Sequence, residues 1–312
     1  MRHRMAAGFA ALLGSGMLIA GVTAGVAAGV ASAHPVARQD WDTRSAAAYL
    51  DERQTWWESW SKAKRDRGTV CLSCHTAMPY ALARPELRTT LDEEDATSAE
   101  RKLIDDVVTR VRAWSQVGPY YGGTGQTPDA RTKVIESRGT EAVLNALVLA
   151  SRDERVGTVS ADARQALANM LALQLTGGDA AGSWSWLDFH YQPWESSTST
   201  YFGAALAAIA IGREPKDYAE SRDVRANVEQ LRHYLRAHVD QPRWDRLMRR
   251  DDPSLLNRAM LLWASAKMPD LVSADERREL TDALWSAQRS DGGWSLASLG
   301  RCHRLDGTTL DA

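Results

Sequence analysis

The chain has 312 residues, 38 Lys+Arg against 40 Asp+Glu and a formal charge of −2. So even a balance supplies no basic face for nucleic acid and no field of one sign to steer a partner. Three cysteines in all are too few for a disulfide framework.

The amino terminus runs Met1-Arg2-His3-Arg4-Met5, then an uncharged, apolar and glycine-rich stretch over residues 6–30, then Ala31-Ser32-Ala33 before His34. A basic start, a greasy middle and a small-residue exit describe a secretory signal over residues 1–33, cut after Ala33. The run is also long enough to stay uncleaved as a membrane anchor. Either way the rest is exported, to the periplasm or beyond. Loss of Arg2 and Arg4 leaves 36 basic against 40 acidic side chains, a charge of −4. No later stretch offers ~18 uninterrupted apolar residues, and the remaining ~280 residues make one large domain or two small ones.

From Ser45 to Arg67 the positions Ala48, Tyr49, Trp56, Trp57 and Trp60 recur at helical spacing among charges, which predicts one long amphipathic helix stopped at Gly68. Cys71-Leu72-Ser73-Cys74-His75 follows. Two thiols three apart with an imidazole directly after resemble the haem-attachment motif of c-type cytochromes. That resemblance implies one covalent haem c, with Cys71 and Cys74 as thioether donors and His75 as the proximal iron ligand. A CxxC pair is also half a zinc site or a thiol pair; export favours haem. Tryptophans 56, 57 and 60 either pack on the porphyrin or anchor their helix to the next layer.

Pro79 and Pro85 predict a loop over 77–87. Asp92-Glu93-Glu94-Asp95 reads as acids favoured at the start of a helix over 98–116, rather than as a Mg²⁺-diphosphate site. Gly118 to Gly125, with paired Tyr120-Tyr121, is a loop.

Beyond residue 136, helices apolar nearly all round (140–150, 201–212, 255–267) alternate with charged amphipathic ones (161–175, 223–238, 274–288). Buried then exposed, at about 55 to 60 residues per pair, is a helical repeat. Its punctuation is specific: Gln288-Arg289-Ser290-Asp291-Gly292-Gly293-Trp294, and more loosely Gln174 followed by Gly182-Ser183-Trp184, with a degenerate copy at Gln241-Pro242-Arg243-Trp244. These stretches resemble the QW motif of the squalene-hopene cyclase and protein prenyltransferase superfamily. The resemblance implies an all-α chain: an α/α toroid over 131–312, preceded by a helical haem-c segment over 34–130. Three hairpins do not close a ring, so the toroid is expected to be incomplete, an arc capped by the haem segment or a chain truncated after Ala312.

The family's chemistry is not legible here. The D-x-D-D acid of the cyclases is missing, and Asp251-Asp252-Pro253 reads as a helix start. Cys302 and His303 are zinc-type residues without the spacing. Asp188 and Glu195, among four aromatics, are either acids of raised pKa or caps for a helix starting near Ser196, capping being preferred for Glu195 and Ser196. Ser137 and Glu141 read as cap and first-turn acid of an inner helix. For the sixth iron position, His190 in the aromatic loop ranks ahead of Met170, His233, His238 and Met260; without a protein ligand there the iron would bind water or a small molecule. The expectation is therefore an exported haem-c protein that transfers electrons to a redox partner protein. Two alternatives stand: an enzyme acting on an isoprenoid or other apolar small molecule in the toroid, its catalytic residues unknown, and a zinc or thiol scaffold.

Overall fold

The computed structural model describes residues 42–122, 128–215, 217–240, 243–244, 250–251, 254–300, 302 and 308. Residues 1–33, expected to be an export signal, His303 and Gln241-Pro242 lie outside them. The described chain is helical apart from one two-residue pairing, β1 (Arg243–Trp244) against β2 (Arg250–Asp251). No described helix is long and apolar enough to cross a membrane.

Helix α1 spans Thr43–Ser59, its first turn capped by Asp42, which accepts from Arg44 N and Ser45 N. It stops at Trp60, eight residues short of Gly68, where one helix was expected to end. The chain there turns back on itself: Arg65 N donates to Thr69 O at 2.7 Å and Cys71 N to Ala63 O at 2.8 Å. Arg67 and Gly68 take left-handed φ of 58° and 72° to make the turn. Pairing 63–65 with 69–71 buries Ala63 and Val70, which continuing the helix would not do.

The loop expected over 77–87 is instead helix α2, Ala77–Thr90. Pro79 falls in the first turn, where its missing N–H has no partner to lose; Pro85 lies inside and does cost a bond. Helix wins because the same face carries Tyr80 and Arg84, which both reach Asp51 of α1, Tyr80 Oη at 2.8 Å and Arg84 Nε at 3.1 Å to each carboxylate oxygen. The acidic run 92–95 occupies the following turn rather than a helix start. Asp92 has φ 54° and Glu93 pairs with Arg84 at 2.8 Å. Helix α3 (Ser98–Arg112) begins instead on a Thr97/Glu100 capping box.

Helix α4 is one rod from Pro128 to Val156, so Ser137 and Glu141 are mid-helix residues and neither caps anything. Beyond it come α5 (Ala161–Leu171), α6 (Thr200–Gly212), α7 (Arg225–His238), α8 (Ser254–Lys267), α9 (Ala274–Ser286) and the short α10 (Leu296–Leu299). Helices α4, α6 and α8 pack side by side, while α5, α7 and α9 lie against them. The apolar and charged stretches thus occupy the inner and outer places that their composition demanded. Residues 201–211 of α6 are all buried.

Two turns of this array share one bonding scheme. Gln174 Nε2 donates to Gly182 O at 3.0 Å, and Trp184 Nε1 to Met170 O at 2.6 Å. Gln288 Nε2 donates to Gly292 O at 2.7 Å, and Trp294 Nε1 to Leu284 O at 2.7 Å. In each case the acceptor of the indole is the carbonyl four residues before the glutamine, in the last turn of a helix, where it also accepts a backbone N–H. Gly182 needs to be glycine twice over: its φ is 93°, and a Cβ would stand 2.2 Å from Gln230 O of α7. Trp184 is fully buried whereas Trp294 is not. Trp184→Phe should therefore cost about 0.5–1.5 kcal/mol through the loss of a buried hydrogen bond, and Trp294→Phe distinctly less, as measured by urea unfolding of the two variants.

Candidate functional site

The Cys71–His75 turn is held from several sides. Arg110 of α3, fully buried, donates to Thr69 Oγ1 at 3.3 Å, to Gly118 O at 2.7 Å and to Glu141 of α4 at 2.6 Å. Arg138 adds a second contact to Glu141 at 3.3 Å. Val70 N donates to Asp106 at 3.2 Å, and Trp57 Nε1 to Cys71 O at 2.7 Å. Ser73 Oγ accepts from Thr76 N and Ala77 N at 2.9 and 3.3 Å, so the turn itself caps α2.

Both thiols are free and only 3 % exposed. Burial pushes Cys71 up to about 12 and Cys74 well above the ordinary thiol value. Cys71 Sγ lies 4.0 Å from Tyr121 Oη, and the nearby charge of Glu195 adds to the rise at Cys74. His75 is exposed at the crest of the turn, its ring edge-on to Trp57 at 6.1 Å. Desolvation by the groups around the ring draws its pKa below the usual imidazole value.

The aromatic loop 186–196 closes over this turn. Thr140 accepts from Leu187 N at 2.9 Å and Glu136 from Asp188 N at 3.2 Å, which ties the loop to α4. Tyr191 and Glu195 pair across it, and Phe189 meets Tyr121 edge-on at 4.9 Å. His190 has φ 63° and is half-buried, with Nδ1 3.2 Å from Asp188 Oδ1. The expectation that Glu195 and Ser196 cap a helix is corrected: α6 starts at Thr200 with Ser199 before it, and Glu195 pairs with Tyr191 across the loop. Of the other residues singled out, Met170 and Met260 are buried in the helix array, His233 is exposed on α7, and His238 stacks on Tyr234 at 4.3 Å. Trp57 is buried, while Trp56 and Trp60 stack at 5.7 Å on the surface. Cys302 is buried.

Beside Cys71 opens a cleft of about 540 Å³ whose lining includes Lys62, Lys64, Arg65, Tyr121, Lys133 and Phe189, with no carboxylate among the described residues that line it. Arg65, Tyr121 and Ser137, whose Oγ accepts from Tyr121 N at 2.9 Å, were not expected at the site. The one available signal was the Tyr120-Tyr121 pair inside a glycine-rich loop. Among the described residues no three His, Cys, Asp or Glu side chains converge as ligands for one ion. No protein family, curated protein or solved structure matches this chain.

Two outcomes follow from the buried charges. Arg110→Met leaves Glu141 in the core with only the longer Arg138 contact, and should cost about 3–5 kcal/mol in urea unfolding, part of it restored by adding Glu141→Gln. Burial raises the Glu195 carboxyl above its ordinary value. Its contribution to stability is then complete below the unfolded value and is lost as pH rises through the folded one. Thermal unfolding of the haem-free chain across that carboxylate range should show this decline, and Glu195→Gln should flatten it.

Proposed function

We propose that the chain is an exported haem-c protein that transfers electrons, with Cys71 and Cys74 as thioether donors and His75 as proximal iron ligand. The observation that carries this is the geometry of the turn: two free, buried thiols three residues apart, directly followed by an exposed imidazole. A dithiol oxidoreductase needs a lowered thiol pKa, and a zinc site needs its ligands gathered on one point. Haem attachment needs neither. Each thiol adds its sulfur to one vinyl carbon and its proton to the other, without an oxidant, and the imidazole meets a different part of the ring. Because the thiols end up in the core, attachment precedes the closing of loop 186–196. The haem would supply one-electron chemistry at its iron.

His190 is proposed as the second axial ligand. Asp188, whose Oδ1 lies 3.2 Å from Nδ1 without a hydrogen bond in the present ring position, is placed to orient a ligating imidazole. The helix array is read as an arc of the squalene-cyclase type, on the strength of the two matching Gln-Gly-Trp turns. A small hollow of about 290 Å³ is lined by Thr132, Ile135, Glu136, Ser185, Trp186, Asp188, Ser197 and Thr200, a mixture of polar and apolar side chains.

Produced in a host that matures cytochromes, the protein should carry one haem that survives acid-acetone extraction, and a Cys71→Ala/Cys74→Ala variant should lose it. A colourless product with two titratable thiols would overturn the assignment. His190→Ala should convert a six-coordinate spectrum into a five-coordinate or water-bound one without loss of covalent haem.

A further inference from the structure

Helix α1 carries a row of large side chains that no described residue covers. Tyr49, Arg53, Trp56 and Trp60 recur at i, i+4, i+7 and i+11, so they share one side of the helix and its C-terminal cap. Tyr49 is 61 % exposed, Trp56 45 % and Trp60 39 %, while Ala47, Gln54 and Trp57 turn inward and α1 packs on α2 and α3. The row is preformed. Trp56 and Trp60 stack at 5.7 Å with 17° between their planes, and Arg53 lies over the Trp56 ring at 4.6 Å. A single exposed apolar residue needs no explanation, whereas a contiguous aromatic row marks a place of contact. Cations flank it: Lys62 and Lys64 stand exposed on the turn after α1. Of the carboxylates nearby, Asp42 caps the helix, Asp51 is held by Tyr80 and Arg84, Glu58 by Gln54 and Asp66 by Gly118 N. That leaves Glu52 facing the three positive groups Arg53, Lys62 and Lys64.

Tryptophan and tyrosine rings edged by lysine and arginine are the composition of a surface that rests in the headgroup zone of an anionic bilayer. The order of the chain points the same way. Residues 31–42 alone separate α1 from the apolar run 6–30, a reach of at most about 40 Å. With that run in a bilayer, α1 is the first element of the fold to be held at the membrane surface. We propose that the outer side of α1 is a membrane-contact face: Tyr49, Trp56 and Trp60 enter the headgroup region, and Arg53, Lys62 and Lys64 meet the lipid phosphates. The face uses none of Cys71, Cys74 and His75, so it stands apart from the haem assignment.

The test uses the exported chain cut after Ala33, because the apolar run would carry any variant into lipid by itself. Flotation is measured with vesicles of phosphatidylcholine alone and of phosphatidylcholine mixed with phosphatidylglycerol, at low salt. The mixed vesicles should bind at least about tenfold more tightly, from the attraction of each basic side chain to an anionic surface. Lys62→Gln/Lys64→Gln should remove most of that preference, and Trp56→Ser/Trp60→Ser should weaken binding to the mixed vesicles at least about tenfold. All four positions are exposed, so the fold is expected to tolerate both variants. Trp285→Ser, at an equally exposed tryptophan of α9, should change nothing, which separates this face from general stickiness. No flotation with either composition, equal flotation of wild type and both α1 variants, or an equal loss in Trp285→Ser would overturn the proposal. A chain that stays off the vesicles and sediments as a dimer, split by Trp56→Ser/Trp60→Ser, would overturn it in favour of a second copy.

Discussion

The arrangement around the cysteine turn depends on one buried ion pair. Arg110 and Glu141 are both inaccessible to solvent, and the guanidinium reaches Thr69, Gly118 and Glu141 together. In one contact it joins the strand leading into Cys71, the loop leading into Tyr121 and the middle of α4. Removing two charges from water is expensive, and the hydrogen bonds to Thr69 and Gly118 recover part of that expense while fixing where those segments lie. A well-packed apolar pair would hold α3 on α4 as well, but it would not specify the register of three chain segments at once.

Burial also decides the chemistry open to the thiols. The same CxxC spacing at a helix start, left partly exposed, has a lowered pKa and reacts. Here the helix α2 begins directly after the motif, yet packing under Trp57 and loop 186–196 outweighs the dipole, and both thiols stay protonated. Chemistry that needs a thiolate is disfavoured, while covalent attachment of a group before the loop closes is compatible with what is seen.

The helix array was readable in unusual detail because its signals are local. Alternation of apolar and charged helices marks which ones are inner, and Gln174, Gly182 and Trp184 bond within their own turn, as do Gln288, Gly292 and Trp294. Where reading failed, a distant partner had overruled a local preference. Pro79 and Pro85 promised a loop, but Asp51 on another helix recruits Tyr80 and Arg84 and draws the segment into α2. Glu141 was taken for a first-turn acid because nothing in its neighbours reveals Arg110. Glu195 was taken for a cap because nothing in its neighbours shows that α6 begins only at Thr200 and that residue 195 pairs with Tyr191.

What the sequence by itself determined is the kind of each element and the inventory of chemistry: helices from periodicity, turns from Gly and Gln-Gly-Trp, and a dithiol-imidazole motif from five consecutive residues. What only the tertiary structure decided is the company those residues keep: Tyr121 and Arg65 beside Cys71, Glu195 near Cys74, and Asp188 beside His190. Local patterns are set by bonds a few residues long, and can be read from order alone. The protonation of a buried thiol and the lining of a cleft depend on groups brought from remote parts of the chain, and those meet only when the whole core packs.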